Sequence, residues 1–125
     1  MNKKTFKAFE FYEETWKANI TFCVGSLNEL KKYWDKRLKN NIDFSIYNDA
    51  DGSAAKLKGN NTEFRFLWID NFKKNNPCSH GILAREISRL AIQILEDKGL
   101  PIRHENDKAI AYLIDRLTRH FYKTI

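Results

Sequence analysis

Residues 19–39, NITFCVGSLNELKKYWDKRLK, decide the fold class of this chain. Over residues 19–25 apolar and polar side chains alternate from Ile20 onward, which is the two-residue period of a β-strand. Ser26 then stands three residues before Glu29, the spacing of a capping box that begins a helix. The apolar residues that follow recur at helical spacing: Leu27, Leu30, Trp34 and Leu38. A strand followed by a helix that ends near residue 39 predicts an α+β domain.

Helices are also predicted toward both ends of the chain. Apolar groups at i, i+3, i+6 and i+10 from Phe6 to Trp16 predict an amphipathic helix over about residues 4–17. A wide apolar stripe predicts a long helix over residues 82–98, stopped by a glycine. A last helix over about residues 107–122 follows an asparagine cap.

The middle of the chain has the pattern of an antiparallel meander. Residues 42–47, 54–58 and 62–69 predict three short strands separated by polar turns, and residues 70–79 predict a polar loop. The third strand is apolar on both faces, so we expect it inside the sheet. The predicted order is αβαβββαα, a small mostly antiparallel sheet packed with helices in a single domain over residues 1–125.

Composition excludes several classes of protein. Of 125 residues, 42% are hydrophobic and 14% aromatic, which is enough apolar surface for a core without disulfides. Cys23 and Cys78 stand far apart with no CxxC pair, so neither a zinc ribbon nor a disulfide framework is indicated. There is no signal-peptide pattern and no run long enough to span a bilayer. We therefore expect a cytoplasmic protein without a membrane partner.

The net charge of +6 favours anionic partners. Residues 1–40 carry nine basic and five acidic side chains, residues 41–77 five of each, and residues 78–125 eight and six. At the amino terminus, lysines are interleaved with aromatic residues, a pattern that serves nucleic-acid binding. These residues are Lys3, Lys4, Lys7, Phe6, Phe9 and Phe11. Nonspecific nucleic-acid binding through the basic ends is one hypothesis, and an ordinary amphipathic helix is the alternative.

The predicted helix over residues 82–98 carries a charged group opposite its apolar stripe. Arg85 and Arg89 are one turn apart, and Glu86 is next to them. A solvated face with an ion pair explains this spacing without any function. The surrounding sequence suggests a second interpretation.

Residues 80–121, HGILAREISRLAIQILEDKGLPIRHENDKAIAYLIDRLTRHF, follow a strand-helix-strand-strand layout ending in FRFLWI. This arrangement resembles the small zincin-like metallopeptidase-fold proteins often encoded by phages and mobile elements. In that family the helix carries HExxH, in which two histidines bind zinc and the glutamate is the general base. Here Arg85 and Arg89 stand at the histidine positions, Glu86 at the base position, and Lys108 at the position of the acidic third ligand.

The resemblance implies a minimal zincin-like pseudoenzyme, RExxR, that needs no cofactor, because neither arginine nor a charged lysine binds zinc. Two outcomes stay open for such a site. The arginines could hold a carboxylate in a structural salt-bridge cluster, with Glu86, Glu105 or Asp107. Alternatively, a net positive pocket could accept a phosphate or carboxylate of a ligand or partner. Its residues would be Arg85, Arg89 and Lys108, together with Arg116 or Arg119.

A replacement metal site is the rival hypothesis. Cys78 and His80 form a possible ligand pair. An atypical set of His80, His104 and Asp107 beside Glu86 would support an active metal-dependent hydrolase or peptidase. This hypothesis predicts stoichiometric zinc, which the pseudoenzyme interpretation does not.

The expected function is binding without catalysis. The resemblance implies a binding or inhibitor module for a protein partner or a small anionic ligand. It also implies an accessory, anti-defence role for a phage or mobile element, in the host cell cytoplasm.

Overall fold

The computed structural model describes residues 6–59, 61–100 and 103–124. In these ranges, four strands form one sheet, and helices cover both of its faces. The α+β prediction is therefore confirmed. The elements are β1 (Lys7–Glu13), β2 (Ala18–Val24), α1 (Leu27–Leu38), β3 (Gly52–Lys58), β4 (Glu63–Ile69), α2 (Pro77–Asp97) and α3 (Asp107–Thr124).

The strand order in the sheet is β1-β2-β4-β3. β1 pairs with β2 and β3 with β4 in antiparallel fashion, whereas β2 and β4 are parallel. The mostly antiparallel sheet and the interior position of β4 are thus confirmed. In the register, Arg65 of β4 has Ile20 of β2 on one side and Lys56 of β3 on the other.

The sheet separates two hydrophobic clusters of different character. On one face, Trp34 of α1 packs against Phe64 and Phe66, with ring centroids 5.8 and 5.9 Å apart. On the other face, α2 and α3 cover mainly aliphatic residues, among them Leu67 and Ile69. Alternation along β4 sends successive side chains to opposite faces, which explains why this strand is apolar on both.

Local signals account for α1. Glu29 N donates to Ser26 Oγ at 3.2 Å, and Ser26 N donates to Glu29 Oε1 at 3.1 Å, so the predicted capping box is present. The helix ends at the C-cap residue Lys39, which has left-handed backbone angles. The strand-helix prediction for this stretch is confirmed, with bounds within two residues.

The predicted helix over residues 4–17 is wrong, because residues 7–13 form the edge strand β1 and residues 14–17 a turn. In β1, Phe11 contacts α3 through His120, whereas Glu10 on the opposite face contacts α1 through Arg37. Pairing with β2 and packing on both sides outweigh the local helical spacing. Lys3 and Lys4, two of the lysines in the predicted nucleic-acid-binding pattern, lie outside the described residues.

The predicted strand over residues 42–47 is also wrong. This segment is irregular and ends in a short 3₁₀ helix, Ser45–Tyr47. Phe44 and Tyr47 pack on Phe66 beside α1, so the apolar residues serve the aromatic cluster instead of a fifth strand.

The long helix α2 begins earlier than predicted. Pro77 occupies its first turn, and the Asn76 side chain accepts a hydrogen bond from Cys78 N at 2.9 Å. Of the loop predicted over residues 70–79, only residues 70–76 are therefore non-helical, because α2 begins at Pro77. α2 is preceded by the strand-helix-strand-strand layout that the sequence indicated. Among the described residues, no helix is long and apolar enough to cross a membrane.

Candidate functional site

Glu86 is the centre of a charged cluster between α2 and β3. Its side chain is 0% exposed. The expectation that Glu86 lies opposite the apolar stripe of this helix is therefore wrong: it is buried on the same face as Leu83 and Leu90, which are three residues before it and four after it. Gly52 of β3 lies against it: a Cβ there would be 3.4 Å from Glu86 Cγ and 2.9 Å from the backbone oxygen of Trp68. The missing side chain at residue 52 therefore allows α2 to approach the sheet and bury the carboxylate.

Two arginines and a second carboxylate complete what we call the α2 cluster: Asp51, Arg85, Glu86 and Arg89. Arg85 Nε donates to Glu86 Oε2 at 2.6 Å, and its Nη2 donates to Asp51 Oδ1 at 2.5 Å. Arg89 Nη1 lies 3.5 Å from Glu86 Oε1. The hydrogen bond to Asp51, followed by that to Glu86, raises the pKa of the Arg85 guanidinium.

Charge in the α2 cluster is balanced, since two guanidinium groups face two carboxylates. This arrangement matches the first of the two outcomes that the sequence left open, a salt-bridge cluster, in which Glu86 Oε1 has the 3.5 Å ion pair with Arg89 but no hydrogen bond from a described residue. The second carboxylate is Asp51, instead of the expected Glu105 or Asp107. Glu105 pairs with Arg103 at 3.9 Å.

Lys108 and Arg116 do not join the α2 cluster. His80 at the start of α2 stacks on Tyr122 at the end of α3, so the two helices run antiparallel and Lys108 lies toward the far end of α2. Arg116 pairs instead with the buried Glu13 of β1, with Nη2 2.9 Å from Oε2. The predicted positive pocket of Arg85, Arg89, Lys108 and Arg116 is therefore not assembled.

The alternative metal ligands are also dispersed. His80 Nε2 donates to the Lys74 carbonyl at 2.5 Å, which leaves Nδ1 to accept from the Tyr122 hydroxyl. His104 lies beyond the opposite end of α2, 3.1 Å from Asp107, and Cys78 is exposed. In the described ranges, no three His, Cys, Asp or Glu side chains are grouped to hold a metal ion.

A second charged cluster lies at the other end of α2, where the helix leaves the sheet. It lines a cavity of about 230 Å³. We call it the basic pocket. Its cations are Lys17, Lys56, Arg65 and Lys98, and its carboxylates are Glu63 and Asp97.

Long-range pairing brings these residues together. Arg65 and Lys56 face each other across β4 and β3, and the turn before β2 carries Lys17. Lys98 is the C-cap residue of α2, next to Asp97. The pocket thus draws its cations from a hairpin turn, two strands and a helix end.

Arg65 is the buried member of the basic pocket, with only 8% of its side chain exposed. Its Nη2 contacts Asp97 Oδ2, and the same oxygen lies 3.2 Å from Lys56 Nζ. Glu63 Oε2 lies 3.8 Å from Lys56 Nζ. Burial lowers the pKa of the Arg65 guanidinium, because the charged form has lost solvent.

The basic pocket has more cations than carboxylates, four against two. Within the described part of the chain, Lys17 and Lys98 have no ion-pair partner. The C-terminal end of α2 adds a partial negative charge of about half a unit, which leaves the pocket positive. An anion entering the cavity would therefore meet a buried guanidinium and uncompensated ammonium groups.

Lys17 adopts the left-handed region, with φ 51°. For a residue with a Cβ, this conformation costs about 1 kcal/mol, whereas glycine adopts it readily. The turn therefore presents its lysine to the cavity in a conformation that glycine would adopt at lower cost.

Sequence reasoning missed the basic pocket, although one signal was present. Arg65 interrupts FRFLWI on the face that it shares with Leu67 and Ile69. A charged residue on an apolar face of an interior strand must be paired inside the protein or belong to a site. Its partners could not be read from the sequence, since Lys17 and Lys98 are distant in the chain.

Comparison with known protein families, with characterised proteins and with solved structures finds no match to this chain. The zincin-like resemblance of residues 80–121 stays a prediction.

Proposed function

We propose that this chain is a non-catalytic protein that binds a small ligand through a phosphate or carboxylate group in the basic pocket. The observation that carries the proposal is the burial of Arg65 in a cavity where four cations face two carboxylates. This site replaces the positive pocket that the sequence placed around Arg85.

The chemistry of the basic pocket suits an oxyanion. A guanidinium donates in a planar fork to two oxygens, and ammonium groups add further donors with adjustable directions. The side chains leave two surplus positive charges, which the end of α2 reduces to about one and a half, so a phosphate monoester balances the pocket more fully than a carboxylate does. Asp97 and Glu63 pair with Arg65 and Lys56, so the surplus positive charge that an added anion would balance is that of Lys17 and Lys98.

The rival proposal, an active metal hydrolase, has little support in the geometry. Glu86 would have to reach a metal-bound water, yet its carboxylate is wholly buried and held by Arg85 and Arg89. The proposed ligands His80 and His104 lie at opposite ends of α2. For these reasons we propose binding without catalysis.

The biological setting of the proposal comes from the resemblance. A degenerate zincin-like protein of a phage or mobile element would act in the host cytoplasm as an inhibitor or anti-defence accessory. In that setting, the anionic group in the basic pocket could belong to a small ligand or to the surface of a protein partner.

Amide NMR shifts during titration with sodium phosphate, at constant ionic strength, test the proposal. We expect saturable shifts around Lys56, Arg65 and Lys98, and their loss in Arg65→Met. Arg89→Met is the matched control, since it removes an arginine of the balanced α2 cluster, and it should leave the titration unchanged. Sodium acetate tests the carboxylate in the same way. The proposal fails if neither anion gives saturable shifts, or if the shifts centre on Arg85 and Arg89.

A further inference from the structure

Two lysines lie on the outward face of α1, and a third is the C-cap residue that follows the helix. Lys32, Lys36 and Lys39 follow each other at intervals of four and three residues, and all are exposed. They are opposite Leu30 and Trp34, which are buried in the aromatic cluster. At 1.5 Å per residue the three extend over about 10 Å. We call them the lysine stripe.

The lysine stripe has a single sign of charge. Among the described residues, no carboxylate pairs with any of its three lysines. The two acidic residues of α1 are engaged elsewhere: Glu29 in the capping box, and Asp35 with Lys31 at 2.8 Å and with the backbone N–H of Ile42. A solvated helix face ordinarily mixes both signs of charge, so this face differs from that pattern.

The fold tolerates the uncompensated lysines for a physical reason. Lys36 lies in the last turn of α1, and Lys39 is its C-cap residue. Cations near the carboxyl end of a helix interact favourably with the helix dipole, by about 0.3–1 kcal/mol each. The helix dipole thus partly offsets the repulsion between these lysines in place of neighbouring carboxylates, and their ammonium groups remain available to a partner.

We propose that the lysine stripe binds the sugar-phosphate backbone of a nucleic-acid duplex. The backbone positions of the three lysines extend over about 10 Å, the length of two or three successive phosphates of one strand, and binding of lysines to phosphates releases condensed counterions. Contacts from lysine to phosphate carry no sequence information, so the binding is independent of base sequence.

A membrane surface is the less suitable partner for this face. Helices that lie on membranes insert an apolar face between the lipids. The apolar residues of α1, led by Leu30 and Trp34, are buried against the sheet and cannot do so. The proposal is independent of the basic pocket, because Arg65 lies on the sheet face covered by α2, whereas α1 covers the opposite face.

Fluorescence anisotropy with a short fluorescein-labelled DNA duplex, over a series of KCl concentrations, tests this proposal. We expect the logarithm of the affinity to fall linearly with the logarithm of the salt concentration. The double variant Lys32→Gln/Lys36→Gln should reduce that slope by about two, and Lys39→Gly by about one. Lys74→Gln is the matched control, since it removes an exposed lysine that lies outside both the stripe and the basic pocket. It should leave the slope unchanged.

Three outcomes would overturn the proposal. The first is no binding of the wild-type protein at low salt. The second is a slope in the double variant equal to that of the wild type, or an equal loss in Lys74→Gln. The third is binding to phosphatidylserine vesicles without binding to the duplex, which would assign the stripe to a lipid surface. Circular dichroism melts of each variant establish that it is folded. The phosphate titration of the basic pocket remains a separate readout.

Discussion

The α2 cluster and the basic pocket are alike in construction and opposite in charge balance. Each is built around one buried charged side chain on an otherwise apolar face, Glu86 on α2 and Arg65 on β4. In the α2 cluster two arginines meet two carboxylates, whereas in the basic pocket four cations meet two. A binding site is therefore indicated by charge that the fold leaves unmatched, and not by the number of charges.

The largest expected effect concerns the stability of the α2 cluster. Glu86→Gln keeps the volume but removes the charge that two arginines share, so we expect the free energy of unfolding to fall by about 2 kcal/mol. Urea denaturation measures this change, and phosphate binding serves as the control that should not move. An unchanged unfolding midpoint would show that the cluster is not structural.

Removal of the buried charge of the basic pocket should have the opposite result: phosphate binding is lost and stability changes little. Arg65→Met replaces a buried cation by an apolar side chain of similar length, while Asp97 keeps Lys56 as its partner. We expect stability within about 1 kcal/mol of the wild type, together with loss of phosphate binding. The same denaturation and titration experiments apply. A large loss of stability with phosphate binding retained would reverse the roles assigned to the two regions.

Glycine substitutions at two lysines should have a smaller effect, and they distinguish the stability cost of left-handed backbone angles from the contribution of charge to phosphate binding. Lys17 and Lys39 both have left-handed backbone angles, and glycine at either position should raise the free energy of unfolding by up to about 1 kcal/mol. Only Lys17→Gly should weaken phosphate binding, by several-fold, because Lys39 is outside the basic pocket. Thermal melts and the phosphate titration provide the two readouts. Equal weakening by both variants would mean that net charge, and not the pocket, attracts the anion.

The smallest expected effect involves neither region. His120 of α3 stacks on Phe11, with ring centroids 3.8 Å apart, and burial, followed by the charges of Lys123 and Arg116, lowers its pKa. The folded state therefore disfavours protonated His120. Its contribution to stability is present above the ordinary pKa of 6.5 and is lost as the pH falls below it.

Unfolding measured between pH 7 and pH 5 should show this decline, and His120→Gln should reduce it. An identical pH profile in His120→Gln would remove His120 as the cause. Phosphate changes its own protonation over the same range, so stability, and not binding, is the appropriate readout.

The parts of the fold that local signals specify were predictable from the sequence. The capping box at Ser26 and the period of the preceding strand lie within one short stretch, and both predictions are confirmed. β1 was misread because its aromatic spacing fits a helix, while its strand pairing depends on β2. Its buried Glu13 accepts hydrogen bonds from the backbone of the following turn and pairs with Arg116, which is more than a hundred residues later in the chain.

The candidate site was less predictable for the same reason. The adjacency of Arg85, Glu86 and Arg89 follows from helical spacing, and the structure brings these three together. Their partner Asp51 comes from the end of a turn before β3, which the spacing of α2 cannot reveal. The residues of the basic pocket come together only through the order of strands in the sheet and the position of the end of α2. Arg65, a charged residue on an apolar strand face, is the one feature of the sequence that could have indicated the pocket.

Calorimetric titration of the wild-type protein, Glu86→Gln and Arg65→Met with inorganic phosphate, at constant ionic strength, decides which of the two regions binds the anion. We predict equal binding by the wild-type protein and Glu86→Gln, and no measurable binding by Arg65→Met, although Arg65→Met is the more stable of the two variants. Equal binding by Arg65→Met, or loss of binding in a folded Glu86→Gln, would contradict the assignment of the basic pocket as the anion site.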